Sequence, residues 1–339
     1  MKTSAAPIAP IAPTAPTAPT VPAVPTALLL LAAAACLIGA RAADAQSPPA
    51  TKTRVVLLGT GTPPADPDRS GPATAIVVND TPYLVDFGAG VVRRAKLAVA
   101  ERGITALEPI RLRVVFLTHL HSDHTVGYPD LILTPWVLGR KVPLEVYGPP
   151  GIKHLTEHIQ AAYRADVEAR SSHFAEQLYS VGTFPGGHEV NAHEVKPGIV
   201  YKDANVTVTA FATPHAMPSF GYRFDTADRS IVISGDTNPT QAVADACNGC
   251  DVLIHEVLTH DWLARRPDFH RYAARYHTTT TQLAELASRA RPRLLVLHHA
   301  SIALRPAVDN QRSRPEVLLD EMMARYSGRV VVGRDLDVY

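Results

Sequence analysis

The chain has 339 residues, is 46% hydrophobic and carries a formal net charge of +1. That is enough apolar material to bury a full core, and α/β chains of this length often form one domain. Near-neutrality argues against a dedicated nucleic-acid binder, which is usually basic.

Residues 1–26 run as Ala-Pro-Thr repeats, too rich in proline for helix or sheet. An apolar run over 27–40 follows, too short to span a bilayer with ease, and Ala43-Asp44-Ala45 fits a small-residue cleavage site. The expectation is a signal peptide over 1–45, a single hydrolase domain over 46–339, and a periplasmic or secreted protein without stable membrane association once the leader is removed. Export would favour a small local disulfide between Cys247 and Cys250.

Arg54-Val55-Val56-Leu57-Leu58 reads as a buried strand, and Gly59-Thr60-Gly61-Thr62-Pro63-Pro64 as a loop. No helix signal follows those glycines, which excludes a nucleotide cradle. Residues 73–78 and 81–85 pair across Asn79-Asp80, a hairpin turn. Asp86-Phe87-Gly88 ends the second strand, and 91–101 is helical. A strand over 111–117 then runs into Thr118-His119-Leu120-His121-Ser122-Asp123-His124-Thr125. His119 and His121 are two apart, so an extended backbone sends both imidazoles to one side, with Asp123 and His124 in the following turn. Imidazole plus carboxylate without thiolate suits zinc, with manganese and iron as rivals.

Farther on, 143–147 is a short strand and 151–170 a helix carrying His154 and His158 on an exposed face. Strands are expected over 188–196 and 205–211. Three more buried strands end at residues of metal-binding type: Ser230–Ser234 before Asp236, Asp251–Ile254 before His255-Glu256, and Arg293–Leu297 before His298-His299. A helix near 279–290 follows His277. Buried strands that each deliver His, Asp or Glu at the C-terminal end predict one composite site. Trp136, Trp262, Phe269, Tyr272 and Tyr276 are candidates for an aromatic pocket wall.

Over residues 54–300 the chain resembles the metallo-β-lactamase-fold superfamily, closest to the branch holding ribonuclease Z and secreted arylsulfatases. The likeness rests on Leu58-Gly59-Thr60-Gly61-Thr62-Pro63, Val85-Asp86-Phe87-Gly88, the His119–His124 motif, Pro214-His215 with Gly221-Tyr222-Arg223, Ser234-Gly235-Asp236-Thr237, His255-Glu256, His277-Thr278 and Leu297-His298-His299. It implies an α/β fold, an αββα sandwich of two facing mixed sheets, with two divalent metal ions, zinc first, at one rim. By the same resemblance His119, His121 and His215 hold one ion. Asp123, His124 and His299 hold the other, with Asp236 between them. His299 fits the family spacing better than His298. Asp86 resembles the aspartate that orients a ligand imidazole. Asp123, His277 and Glu256 are the catalytic candidates, with His277 acting on the developing charge or the leaving group.

Two metals sharing a carboxylate imply a hydrolase whose bridging hydroxide attacks an ester. The resemblance leaves the substrate open. The region 165–200 shows no Gly- and Lys-rich arm, an exported protein meets no tRNA precursor, and His255-Glu256-Val257-Leu258 stands where ribonuclease Z has His-Glu-Ala-Thr. The expected activity is therefore arylsulfatase-like hydrolysis of small sulfate esters. The expected partner is a small-molecule ester substrate rather than nucleic acid, with homodimerisation left open. The alternatives are a phosphodiesterase or ribonuclease Z-like endonuclease, or a lactone hydrolase.

Overall fold

A computed structural model describes residues 53–172, 186–304 and 313–339, all within one unit spanning Pro48–Tyr339. The expected leader over 1–45 and its cleavage site lie outside the described residues. Among the described residues, no helix is long and apolar enough to cross a membrane.

The first sheet runs in the order β1 (Thr53–Gly59), β2 (Ala73–Val78), β3 (Thr81–Val85), β4 (Val114–Phe116), β5 (Leu144–Gly148) and β6 (Val190–Glu194). The second, taken in chain order, holds β7 (Gly198–Lys202), β8 (Val206–Thr213), β9 (Ser219–Thr226), β10 (Ser230–Ile233), β11 (Val252–Glu256), β12 (Leu294–His298) and β13 (Val330–Val332). Meanders open each sheet. From β3 to β6, and again from β10 to β13, the pairing is parallel. The inner parallel strands β10, β11 and β12 are covered on both faces, which is why they read as unbroken apolar runs. In β1, Val55 and Leu57 pack between the sheets, while Val56 and Leu58 pack outward under helices.

The helices in chain order are α1 (Val91–Arg102), α2 (Ser122–Thr125), α3 (Tyr128–Val137), α4 (Ile152–Ala162), α5 (Arg164–Ser171), α6 (Gln241–Cys247), α7 (His260–Arg265), α8 (His270–Tyr276), α9 (Thr280–Ala290) and α10 (Pro315–Met323). Apolar side chains of α1, α3 and α4 cover the outer face of the first sheet. Those of α6, α9 and α10 cover the second. The result is the expected αββα sandwich. Between the sheets, Phe116 meets Tyr222 at 5.5 Å and Phe224 edge-on at 5.4 Å. The Tyr222 hydroxyl donates to Leu117 O at 2.8 Å, which ties the strand before the histidine motif to the opposite sheet.

Local chemistry sets the joints. Asn79 and Asp80 both take positive φ, 47° and 63°, as the two-residue hairpin requires. Thr279 and Gln282 form a reciprocal capping box that starts α9. A Cβ on Gly88 would lie 2.6 Å from Asp123 O, so only glycine lets these backbones meet behind the histidine motif. The expected helix over 151–170 is two helices that change direction at Tyr163 (φ −97°, ψ 11°). Cys247 and Cys250 are disulfide-bonded and buried at the end of α6, outside the site described next.

Candidate metal centre

The parallel strands present their C-terminal ends at one rim, where loops collect functional groups in α/β sheets. The loop after β4 brings His119, His121, Asp123 and His124. Asp86 follows β3, His215 follows β8, Asp236 follows β10, and His299 follows β12. The structure draws these residues into two adjoining groups: His119, His121, His215 and Asp236 in one, and Asp123, His124 and His299 in the other.

In the first group, His121 Nδ1 lies 2.9 Å from His119 Nε2 and 3.2 Å from His215 Nε2. Tetrahedral zinc with bonds of about 2.0 Å sets its ligand nitrogens about 3.3 Å apart. In the second, His299 Nε2 and His124 Nε2 stand 3.0 and 3.6 Å from Asp123 Oδ2. Asp236 faces both: Oδ2 is 3.9 Å from His119 Nε2, and Oδ1 is 3.5 Å from His124 Nε2 and 3.4 Å from His299 Nδ1. Buried polar atoms ordinarily have partners, yet His124 Nε2 and Asp236 Oδ1 are buried with no hydrogen bond. Two orphaned ligand atoms aimed at each other fit a bound cation.

The imidazoles are oriented from behind. His124 Nδ1 donates to Asp86 Oδ2 at 2.8 Å, leaving Nε2 toward the site. Thr118 Oγ1 donates to the same oxygen at 3.0 Å and so accepts from His119 Nδ1, also at 3.0 Å. One carboxylate therefore sets a ring in each group, directly for His124 and through Thr118 for His119. His215 Nδ1 donates to Tyr276 O at 3.0 Å. Burial holds His119 well below the ordinary imidazole range and takes His215 down to about 4, so both are neutral ligand-type rings. Burial also opposes charge on His124, but the Asp236 and Asp86 carboxylates prevail and raise its pKa. Asp236 is depressed well below the carboxylate range, since His299 and His124 outweigh its desolvation.

His277 lies beside this centre. Its Nδ1 donates to Glu256 Oε1 at 3.1 Å, and its ring centre is 5.3 Å from that of His215. Burial pulls its pKa down, but the Glu256 carboxylate overrides this and holds it at about 9. Burial raises Glu256 in turn.

The family spacing favours His299 over His298, and the two rings point different ways. His298 Nε2 turns inward to Gly59 O at 3.0 Å, whereas His299, at φ 46°, turns into the site. Asp236 does not cap a helix, since Thr240 caps α6. Buried His255 bonds only its neighbour's carbonyl, Glu256 O. His154 and His158 remain an exposed pair on α4. A cavity of about 330 Å³ opens over His121, Asp123, Asp236, His277 and His299. Trp262, Phe269 and Tyr272 line it, as does Arg266, which the sequence reading did not single out. Trp136 is instead fully buried against His188, and Tyr276 packs beside His215.

Residues 81–300 match the family model described as the Beta-lactamase superfamily domain. A ribonuclease Z of Mycobacterium bovis is 33% identical over 289 residues, spanning 83% of this chain and 96% of that protein. A ribonuclease Z of a Mycobacterium species (strain KMS) is 36% identical over 251 residues, 72% of this chain and 83% of that protein. Among solved structures, the short form of human tRNase Z superposes with a TM-score of 0.60 at 23% identity, over 84% of this chain and 98% of that one. The metallo-β-lactamase-fold protein YhfI of Bacillus subtilis superposes at 0.63 with 16% identity, over 85% and 98%.

These relatives correct three expectations. The arylsulfatase-like reading gives way, because the likeness to ribonucleases runs almost the full length of those proteins. Two metals sharing an aspartate do not by themselves separate sulfate from phosphate esters. The small-molecule partner without nucleic acid falls with it. The near-zero net charge was a poor guide, because an average over the chain hides local basic segments. The periplasmic or secreted location is withdrawn too: it rested on a leader that lies outside the described residues, and the likeness to ribonucleases Z runs against it.

Proposed function

The chain belongs to the metallo-β-lactamase superfamily, in its ribonuclease Z branch, and is a metal-dependent hydrolase of ester bonds; from that premise we propose that it is an endoribonuclease that cleaves phosphodiester bonds in tRNA precursors. The observation that carries this reading is the 33% identity to a ribonuclease Z over 96% of that protein's length. The catalytic unit is a single domain over 46–339.

In this reading His119, His121 and His215 would hold one divalent ion and Asp123, His124 and His299 a second, with Asp236 facing both donor groups. Zinc is favoured by the imidazole-rich donor set. When bound, the ions act as Lewis acids that activate water and offset charge on the phosphate. The protein's own groups do the rest. Asp86 fixes His124 directly and His119 through Thr118, so the ligand rings are set before substrate arrives. His277, whose pKa the Glu256 carboxylate holds at about 9, faces the cavity with its ring anchored at Nδ1. Its Nε2–H is free to donate to a phosphoryl oxygen or to protonate the departing ribose oxygen.

The test is a tRNA precursor carrying a 3′ trailer, incubated with metal-loaded protein, with the product ends mapped. One internal cut near the end of the acceptor stem is expected. Intact precursor alongside turnover of p-nitrophenyl sulfate at the same metal loading would overturn the assignment.

A further inference from the structure

One wall of the cavity comes from a single stretch of chain: α7, the turn Pro267–Phe269 and α8. Its rings form a ladder. Trp262 and Phe269 have centroids 5.0 Å apart, and Phe269 and Tyr272 4.9 Å. Trp262 and Phe269 are packed over Leu258, Leu263 and Ala273, while Tyr272, 36% exposed, continues the row to Tyr276 at 5.0 Å. The same stretch carries Arg265, Arg266, Arg271 and Arg275 against Asp261 and Asp268; Arg265 pairs with Asp261 and Arg266 with Asp268 at 3.4 Å, which leaves a local excess of two positive charges in a chain whose net charge is +1. Arg266 lines the cavity with its guanidinium carbon 5.8 Å from the centre of the Trp262 ring.

Aromatic faces interleaved with arginines suit single-stranded nucleic acid, whose bases stack on rings while its phosphates meet the cations. A paired base shows only its edges, so an exposed ring face selects an unpaired nucleotide. Ring faces also carry no hydrogen-bond code, which makes such a surface tolerant of sequence. The wall borders the same cavity as Asp123, Asp236 and His277, and an adjacent nucleotide is the part of an RNA that would fall there.

We propose that α7–α8 is a nucleobase-stacking platform, which takes the unpaired nucleotide next to the scissile phosphodiester against Tyr272, with Arg266 meeting the phosphate backbone. This rests on the ribonuclease reading and adds to it the part of the substrate that is gripped.

The experiment measures tryptophan fluorescence when metal-loaded protein is mixed with a short single-stranded oligoadenylate, and with a ribose-phosphate backbone of equal length lacking bases. Trp262 lines the cavity and Trp136 does not, so a quench reports Trp262. Oligoadenylate should quench and bind, and the baseless backbone should bind far more weakly. Tyr272→Ala should lose about 5- to 150-fold in affinity, the range for removing one base-stacking ring, while Tyr272→Phe keeps it. Arg266→Ala should reduce the salt dependence of binding. Equal affinity for both oligomers, or unchanged binding by Tyr272→Ala, would overturn the platform. Cleavage of the oligoadenylate and of a tRNA precursor, measured on the same samples, separates the two claims. Cleavage with base-independent binding removes only the platform. Base-dependent binding without cleavage of either RNA keeps base stacking on α7–α8 and removes the ribonuclease, and with it the placement beside a scissile phosphodiester.

Discussion

Asp86 sits at φ 61°, a left-handed conformation that Asp tolerates better than most residues. There its carboxylate accepts from Thr118 N at 2.8 Å, from Thr118 Oγ1 and from His124 Nδ1. Because it orients a ring in each group, Asp86→Ala should weaken both sites, lowering zinc affinity about 10- to 100-fold in a chelator-competition titration. Wild-type affinity in that variant would show that the rings are held some other way. His277 occupies a different position, beside the donor groups rather than within them. His277→Ala should lower kcat on RNA by about 10²- to 10⁴-fold while metal content stays constant; loss of metal would instead place His277 in the coordination sphere. The cluster His119 to His124 was legible because four donors occur in six residues. The preference for His299 over His298 came from family spacing alone, because what turns His299 into the site is one backbone dihedral, φ 46°. Arg266 and the role of Thr118 carried no signal, because each acquires its meaning from residues far away in sequence.

Strand by strand, the sandwich could be read wherever both faces are covered: Arg54–Leu58, Ser230–Ser234 and Arg293–Leu297 are unbroken apolar runs. β7 was missed because it is an edge strand, largely exposed, with Ile199 at 68%. Its hairpin with β8 is nonetheless pinned to the first sheet. Asp203 accepts from the Tyr83 and Tyr201 hydroxyls at 2.6 and 2.9 Å and from Asn205 N and Val206 N at 2.8 and 2.9 Å. Burial pushes the Asp203 carboxyl up, but these donors outweigh it and hold its pKa below the usual range. A depressed folded-state pKa means stability that is full above the unfolded carboxylate pKa and is lost as pH falls through the folded one. Asp203→Asn should therefore flatten the acid limb of the stability curve and cost about 1–3 kcal/mol at neutral pH, read by urea unfolding. An unchanged acid limb would remove Asp203 from this role.

Across the whole molecule, three layers of packing carry stability and lie apart from the chemistry. The cores lie between and outside the sheets, and the donor groups lie along one rim. That arrangement was legible, because successive strands end in His, Asp or Glu. The substrate was not. Net charge averages away the arginines of α7–α8, and a ring ladder appears only once Trp262, Phe269 and Tyr272 are folded side by side. The central claim is that the two adjoining donor groups bind metal and that the resulting centre cuts RNA. The most direct measurement is RNA cleavage by metal-stripped protein as zinc is added back, with bound metal determined at each point. Cleavage is predicted to be absent at zero metal and to rise until both donor groups are filled, two ions per chain. Full cleavage without metal, or intact RNA with two ions bound, would contradict it.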